Sequence, residues 1–180
     1  MTKSKKGFTI IEVVLVLAIA GLIFLMVFIA LPALQRSQRN TRRRSDMARI
    51  LSAFTEYQSN NGGRMPGTGT NHTNEMNTFV NKYVNGQGSQ NATGATTCVG
   101  DQFCDPDGTP YSFSSVDPTV VTANINDALG SAPTFDHKIY YYNTAKCGED
   151  EGDIAKGSGK ADIAILYVLE GGAIYCGDNQ

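Results

Sequence analysis

The chain has 180 residues, room for one compact domain plus an appendage and not for several domains. Its formal net charge of −2 conceals an asymmetry. Residues 1–49 carry nine Lys/Arg against Glu12 and Asp46 (9 − 2 = +7), which leaves 15 − 9 = 6 basic and 17 − 2 = 15 acidic residues elsewhere, a net of −9. One end is basic and apolar, the other acidic.

The N-terminus opens with Lys3, Lys5 and Lys6, then Gly7-Phe8 and Thr9-Ile10-Ile11-Glu12. From Val13 to Leu34, 22 consecutive residues lack a charged or polar side chain. As a helix rising ~1.5 Å per residue this stretch is about 33 Å long, enough to cross a hydrocarbon core of ~30 Å. It is apolar on every face, unlike a soluble amphipathic helix. Gly21 and Pro32 interrupt it, which membrane helices accept when neighbours satisfy the freed backbone groups. The apolar stretch is too long for a conventional secretory signal, and no small-residue cleavage site follows it.

An arginine-rich segment follows, then an apolar stripe at helical spacing: Met47, Ile50, Leu51, Phe54 and Tyr57. One long helix is predicted from Phe8 to Gln58, bent near Pro32 and stopped by Asn60-Asn61-Gly62-Gly63 with Pro66 beyond. Gly, Asn, Thr and Ser dominate residues 59–110. Within them Met76, Phe79, Val80, Tyr83 and Val84 fall on one helical face, while 85–97 reads as a solvent loop. Strands are predicted at Lys138–Tyr142, Asp162–Leu169 and Ala173–Cys176, with a tight reversal at Gly171-Gly172. Tyr140–Tyr142 reads as a strand with alternate rings buried. The fold class is α+β: a long hydrophobic helix packed on a small antiparallel sheet. The expected divisions are a leader at 1–7, an apolar helix at 8–34, its amphipathic continuation at 35–58 and a globular head at 59–180.

Cys98, Cys104, Cys147 and Cys176 all lie in the acidic part, and none has CxxC spacing. In an exported domain of this composition two disulfides are expected. Of the three pairings, Cys98–Cys104 with Cys147–Cys176 is preferred: the first closes a short loop and the second ties down the C-terminal part.

Glu12 is the informative oddity. An ionisable group in a membrane-length helix costs about 2.5–3.5 kcal/mol at its centre, less near an end, and points to a function. Cleavage after Gly7 would give Phe8 a free amino group. That amine and the Glu12 carboxylate can neutralise each other, within one chain or between neighbours, and so set one register for an incoming subunit.

At these residues the sequence resembles a family. GFTIIEVVLVLAIAGLI is similar to the class III signal and N-terminal helix of type IV prepilins and of the pseudopilins of type II secretion systems. The resemblance implies that a prepilin peptidase cuts after Gly7 and methylates Phe8. It assigns the recruiting glutamate to Glu12 and the helix glycine to Gly21. It further implies a homo-oligomeric helical filament, an assembly platform and other pilins as partners, and residence in the cytoplasmic membrane before assembly. By charge count alone, three leader lysines against six arginines after the span would keep the head in the cytoplasm; the resemblance and the cysteines place it outside. The implied job is surface attachment, twitching motility or DNA uptake. The alternatives are a type II secretion pseudopilin and a binding module on a single-pass anchor. No catalytic constellation suggests an enzyme.

The run from Arg36 to Arg49 lacks interleaved aromatic residues, so direct DNA binding is not expected. An assembly role is preferred, the basic stem of one subunit facing the acidic heads of others through Arg42, Arg43 and Arg44. No resident cofactor is expected. Calcium is weighed at Asp101, Asp105, Asp107 and Gly108 and at Glu149, Asp150, Glu151 and Asp153, although the first loop lacks the EF-hand spacing. His72 and His137 read as surface or strand residues. Asn71-His72-Thr73 and Asn91-Ala92-Thr93 match the glycosylation pattern, which is frequent by chance in such loops.

Overall fold

The computed structural model describes residues 7–67, 72–84, 98, 103–115, 134–149, 152–159 and 161–180. The leader lysines, both glycosylation patterns, the loop at 85–97, Asp101, Asp150, Glu151 and the side chain of His72 lie outside the described residues. Two compact units divide the chain, Met1–Gln38 and Arg39–Gln180.

Helix α1 spans Ile10–Asn60 and contains Pro32. It starts two residues later than Phe8 because Thr9 takes the cap position. The Thr9 amide and hydroxyl both donate to Glu12 Oε2 at 2.8 Å, and the Glu12 amide faces Thr9 Oγ1 at 3.4 Å. This reciprocal arrangement is a capping box, satisfying amides that the first turn leaves free. At the other end Gly62 and Gly63 adopt φ of 64° and 81°, and the Gly63 amide donates to Gln58 O at 2.8 Å. That left-handed closure suits glycine and ends the helix at Asn60. In the first unit the apolar side chains are exposed all round, Phe24, Leu25 and Phe28 among them. The 18-residue window that marks the span has none of its residues buried.

In the second unit α1 buries Arg43, Met47, Ile50, Ala53, Phe54 and Gln58, a stripe at helical spacing. Leu51 and Tyr57 pack half-buried beside it. Helix α2, His72–Phe79, runs on into a π-helical turn at Val80–Val84. Together they supply the predicted apolar face. Phe79 stacks on Phe54 with ring centroids 4.3 Å apart, and Arg49 donates to Val84 O at 2.8 Å.

The strands are β1 (Ser112–Ser115), β2 (Lys138–Asn143), β3 (Ala145–Cys147), β4 (Ile154–Lys156), β5 (Ile163–Val168) and β6 (Ile174–Asp178). Sheet order is β1-β2-β5-β6, with β3 and β4 as a separate pair. The sheet is mixed, which corrects the all-antiparallel expectation: β1 pairs parallel to β2, Phe113 opposite Ile139. Parallel neighbours need a long crossover, and residues 116–137 provide that length. β2–β5 and β5–β6 are antiparallel, and the reversal before β6 uses Gly171 and Gly172 at φ of 106° and 87°.

Side chains alternate across a strand, so the sheet has two faces. Ile139, Tyr141, Ile163, Ile165 and Tyr167 join the core formed by α1 and α2. Tyr140, Tyr142, Ala164 and Leu166 form a second cluster with Ala145 and Ile154 of the β3–β4 hairpin. All three rings at Tyr140–Tyr142 are therefore buried. The expectation of alternate burial fails because a hairpin covers the face assigned to solvent.

The four cysteines form Cys98–Cys104 and Cys147–Cys176, with Cα separations of 6.4 and 5.9 Å. The second joins the end of β3 to β6 and so attaches the covering hairpin to the main sheet.

Phe54 has no exposed surface and touches the rings of Phe79, Phe113 and Tyr141. Phe54→Ala should cost about 3–5 kcal/mol. The half-buried Leu51→Ala should cost clearly less, as read from denaturant unfolding of the detergent-solubilised chain by near-UV circular dichroism.

Candidate functional site

Gly7, Phe8 and Thr9 precede α1 in non-helical backbone, and Phe8 is 90% exposed. A Cβ built on Gly7 meets nothing within 4 Å. The Gly7–Phe8 bond therefore sits in open chain, where a protease can take it in extended form. Glu12 lies one turn into the helix and its carboxylate bends back onto the Thr9 amide. A negative group there also complements the positive end of the helix dipole. Its carboxylate thus sits next to the residue that would follow a new Phe8 amine. Thr9 was missed as a participant in the sequence reading, although Thr-x-x-Glu before an apolar run is a recognisable signature. Gly21 is equally open: an added Cβ meets nothing within 4 Å. Among the described residues nothing uses its small size, although glycine in a helix costs ~1 kcal/mol relative to alanine.

A second assembly of polar groups lies in the other unit, where α1 meets the sheet. Arg43 is 1% exposed. Its Nε and Nη2 donate to Asp105 Oδ2 and Oδ1 at 2.6 and 2.7 Å. Its Nη1 donates to Glu170 Oε2 and Asn40 Oδ1, both at 3.0 Å. Arg39 grips the same Glu170 through two hydrogen bonds of 2.9 and 2.8 Å. Asn40 exchanges hydrogen bonds with the Glu170 backbone, and the Tyr167 hydroxyl donates to Asp105 at 2.9 Å. The Phe135 ring lies 4.4 Å from the Arg43 guanidinium carbon. Asp107 Oδ2 lies 2.6 Å from His137 Nε2, in the residue just before β2.

Burial opposes the Arg43 charge, but hydrogen bonds to Asp105 and Glu170 outweigh it and raise its pKa. The Arg39 hydrogen bond, with help from Arg43, lowers the Glu170 carboxyl to about 2. At Asp107 burial acts upward, yet hydrogen bonds from His137 and Thr109 bring it down to about 2. Burial pushes up the Tyr167 and Tyr111 phenols, and the nearby carboxylates add to it.

One expectation changes here. Arg43 does not share a stem surface with Arg42 and Arg44; it is part of the head's own fold. In the loop where calcium was weighed, Asp105 gives both carboxylate oxygens to Arg43, and ligand atoms of Asp105, Asp107 and His137 lie within 4.8 Å of one another. Of the second acidic cluster, Glu149 is exposed and Asp153 half-buried. The signal for the Arg43 network was present in sequence: Arg39 and Arg43 continue the Met47–Ile50–Phe54 stripe toward the N-terminus.

Residues 2–28 match the family model of the prokaryotic N-terminal methylation motif, the class III signal peptide of type IV pilins and pseudopilins. No curated protein and no solved structure matches the chain. The N-terminal segment is thus similar to that of type IV pilin and pseudopilin precursors, and its apolar helix fits anchoring in a membrane.

Removing one partner of a buried charge pair costs about 3–5 kcal/mol, so Arg43→Met should destabilise the head by that order. Arg39→Ala, at a site a third exposed, should cost about 1 kcal/mol or less. Denaturant unfolding of both variants checks the contrast. The lowered Glu170 and Asp107 carboxyls stabilise the fold above their ordinary values of 4.5 and 3.8, and that share is lost as pH falls toward about 2. A melting-temperature series should therefore fall between pH 5 and 2, and Glu170→Gln should flatten part of the fall.

Proposed function

We propose that the chain is the precursor of a type IV pilin-like structural subunit. Prepilin peptidase cuts it after Gly7 and methylates Phe8, and the mature chain assembles through its N-terminal helix into a surface filament. The observation that carries this reading is the methylation motif at residues 2–28, on a segment whose Gly7–Phe8 bond is open and whose Glu12 is turned toward it. The exposed apolar surface of α1 supports it, because such surface requires a lipid or protein partner. So does Gly21, since small residues allow helices of different subunits to approach closely. Before assembly the helix holds the subunit in the inner membrane with its disulfide-bonded head outside. An assembly platform and other pilins are its partners, and adhesion, twitching motility or DNA uptake its use. The role is structural rather than enzymatic. A pseudopilin of a type II secretion system shares the processing signal and the apolar helix, and abundant surface filaments containing the chain would distinguish the pilin.

Mass spectrometry of the mature protein should find methylated Phe8 as the first residue; an intact or differently cleaved N-terminus overturns the reading. Glu12→Gln tests the charge separately from the cap, because glutamine also completes a capping box. That variant should be cleaved normally and should not enter filaments. If it assembles as the parent does, pairing of charge at Phe8 is not what recruits the subunit.

A further inference from the structure

Of the six arginines between residues 36 and 49, five belong to the head unit, Arg39–Gln180, which uses them unequally. Arg39 and Arg43 are bound to Glu170 and Asp105. Arg49 donates to Val84 O and its guanidinium lies over the Phe103 ring at 5.2 Å. Arg42 and Arg44 are exposed and form no ion pair among the described residues. Asp46, one turn after Arg42, accepts instead from the Tyr111 hydroxyl at 2.9 Å. We infer that Arg42 and Arg44 are the points at which α1 engages the acidic heads of two neighbouring copies of this chain. The inference rests on the filament reading and deepens it.

Three observations support that occupant. The chain outside residues 1–49 carries a net charge of −9, so a second copy brings the complementary sign. Residues two apart on a helix do not face each other. At 3.6 residues per turn they lie about 200° apart, so Arg42 and Arg44 serve opposite flanks and different neighbours. Unlike patches meeting on two sides give a heterologous contact, the kind that builds an open helical array. Finally, Arg44 lines a surface pocket of about 360 Å³ beside the Cys147–Cys176 disulfide, with Tyr175 and Glu149. A side chain of a neighbouring molecule that enters it meets the Arg44 charge. Exposed charges of this kind set register and assembly rate more than affinity.

The test uses the full chain in cells that carry the processing and assembly machinery. It reads Phe8 methylation, protease resistance of the head and the yield of sheared filaments. R42E/R44E should keep methylation and head resistance and lose filaments by about tenfold or more, the steering effect of complementary charge being of that order. Each single reversal should give a partial loss, and R42K/R44K should assemble close to the parent. Parental yield from methylated R42E/R44E overturns the inference and leaves the filament reading standing. Loss of filaments in R42K/R44K as well also overturns it, because packing rather than charge would then be at work. If the head of the reversed variant becomes protease-sensitive, R42Q/R44Q replaces it, and parental yield from that variant overturns the inference equally. Absence of methylated Phe8 from the parent chain itself removes both readings.

Discussion

The head depends on the buried pair between Arg43 and Asp105. A guanidinium with 1% exposure is tolerable only because two carboxylates, an amide oxygen and an aromatic face surround it. Burying such charges carries a desolvation penalty that the pairing offsets, so the pair adds little net stability over an apolar contact. What it supplies is register. A sliding apolar stripe such as Met47–Ile50–Phe54 can pack in more than one position along a sheet. An arginine that must meet Asp105 and Glu170 together fixes the helix in one position, with the 103–109 loop and the turn at Glu170 both locked to it.

That constraint also explains which parts of the fold were legible. The apolar helix followed from an unbroken apolar run of membrane length, and the stripe on its second half and strands β2, β5 and β6 from local patterning. β1 was missed: its four residues Ser112–Ser115 hold a single apolar side chain, Phe113, too little for a period to stand out, and its partner β2 lies beyond a long crossover. β3 and β4 are three residues each, too short for a period to show. Their presence turns a one-sided sheet into a covered one, which is why Tyr140 and Tyr142 are as buried as Tyr141. Nothing local to those tyrosines announces a hairpin on their far side.

The site divides in the same way. The methylation motif was readable because its residues are compressed into one short stretch. The partners of Arg43 were not, since an arginine run looks like a solvated or anion-binding face until the folded chain brings Asp105 and Glu170 to it. Asp105, in an acidic loop with no basic residue beside it, gives no local sign of the same pairing. For Arg43 the missing information was the counter-charge, which lay 62 and 127 residues away.

The separation of 127 to 131 residues between Glu170 and its partners Arg39, Asn40 and Arg43 has a consequence for the order of events during synthesis. The helix is made first, and the strands that cover it are made last. Contacts of such long range form slowly. Throughout that interval Arg43 lacks its counter-ions and the stripe from Met47 to Phe54 stays open to water and to other chains. A nascent subunit is therefore most vulnerable to misassociation at the segment that later becomes its best-protected core. An N-terminal apolar segment already seated in a membrane would keep such chains apart while the rest of each one arrives.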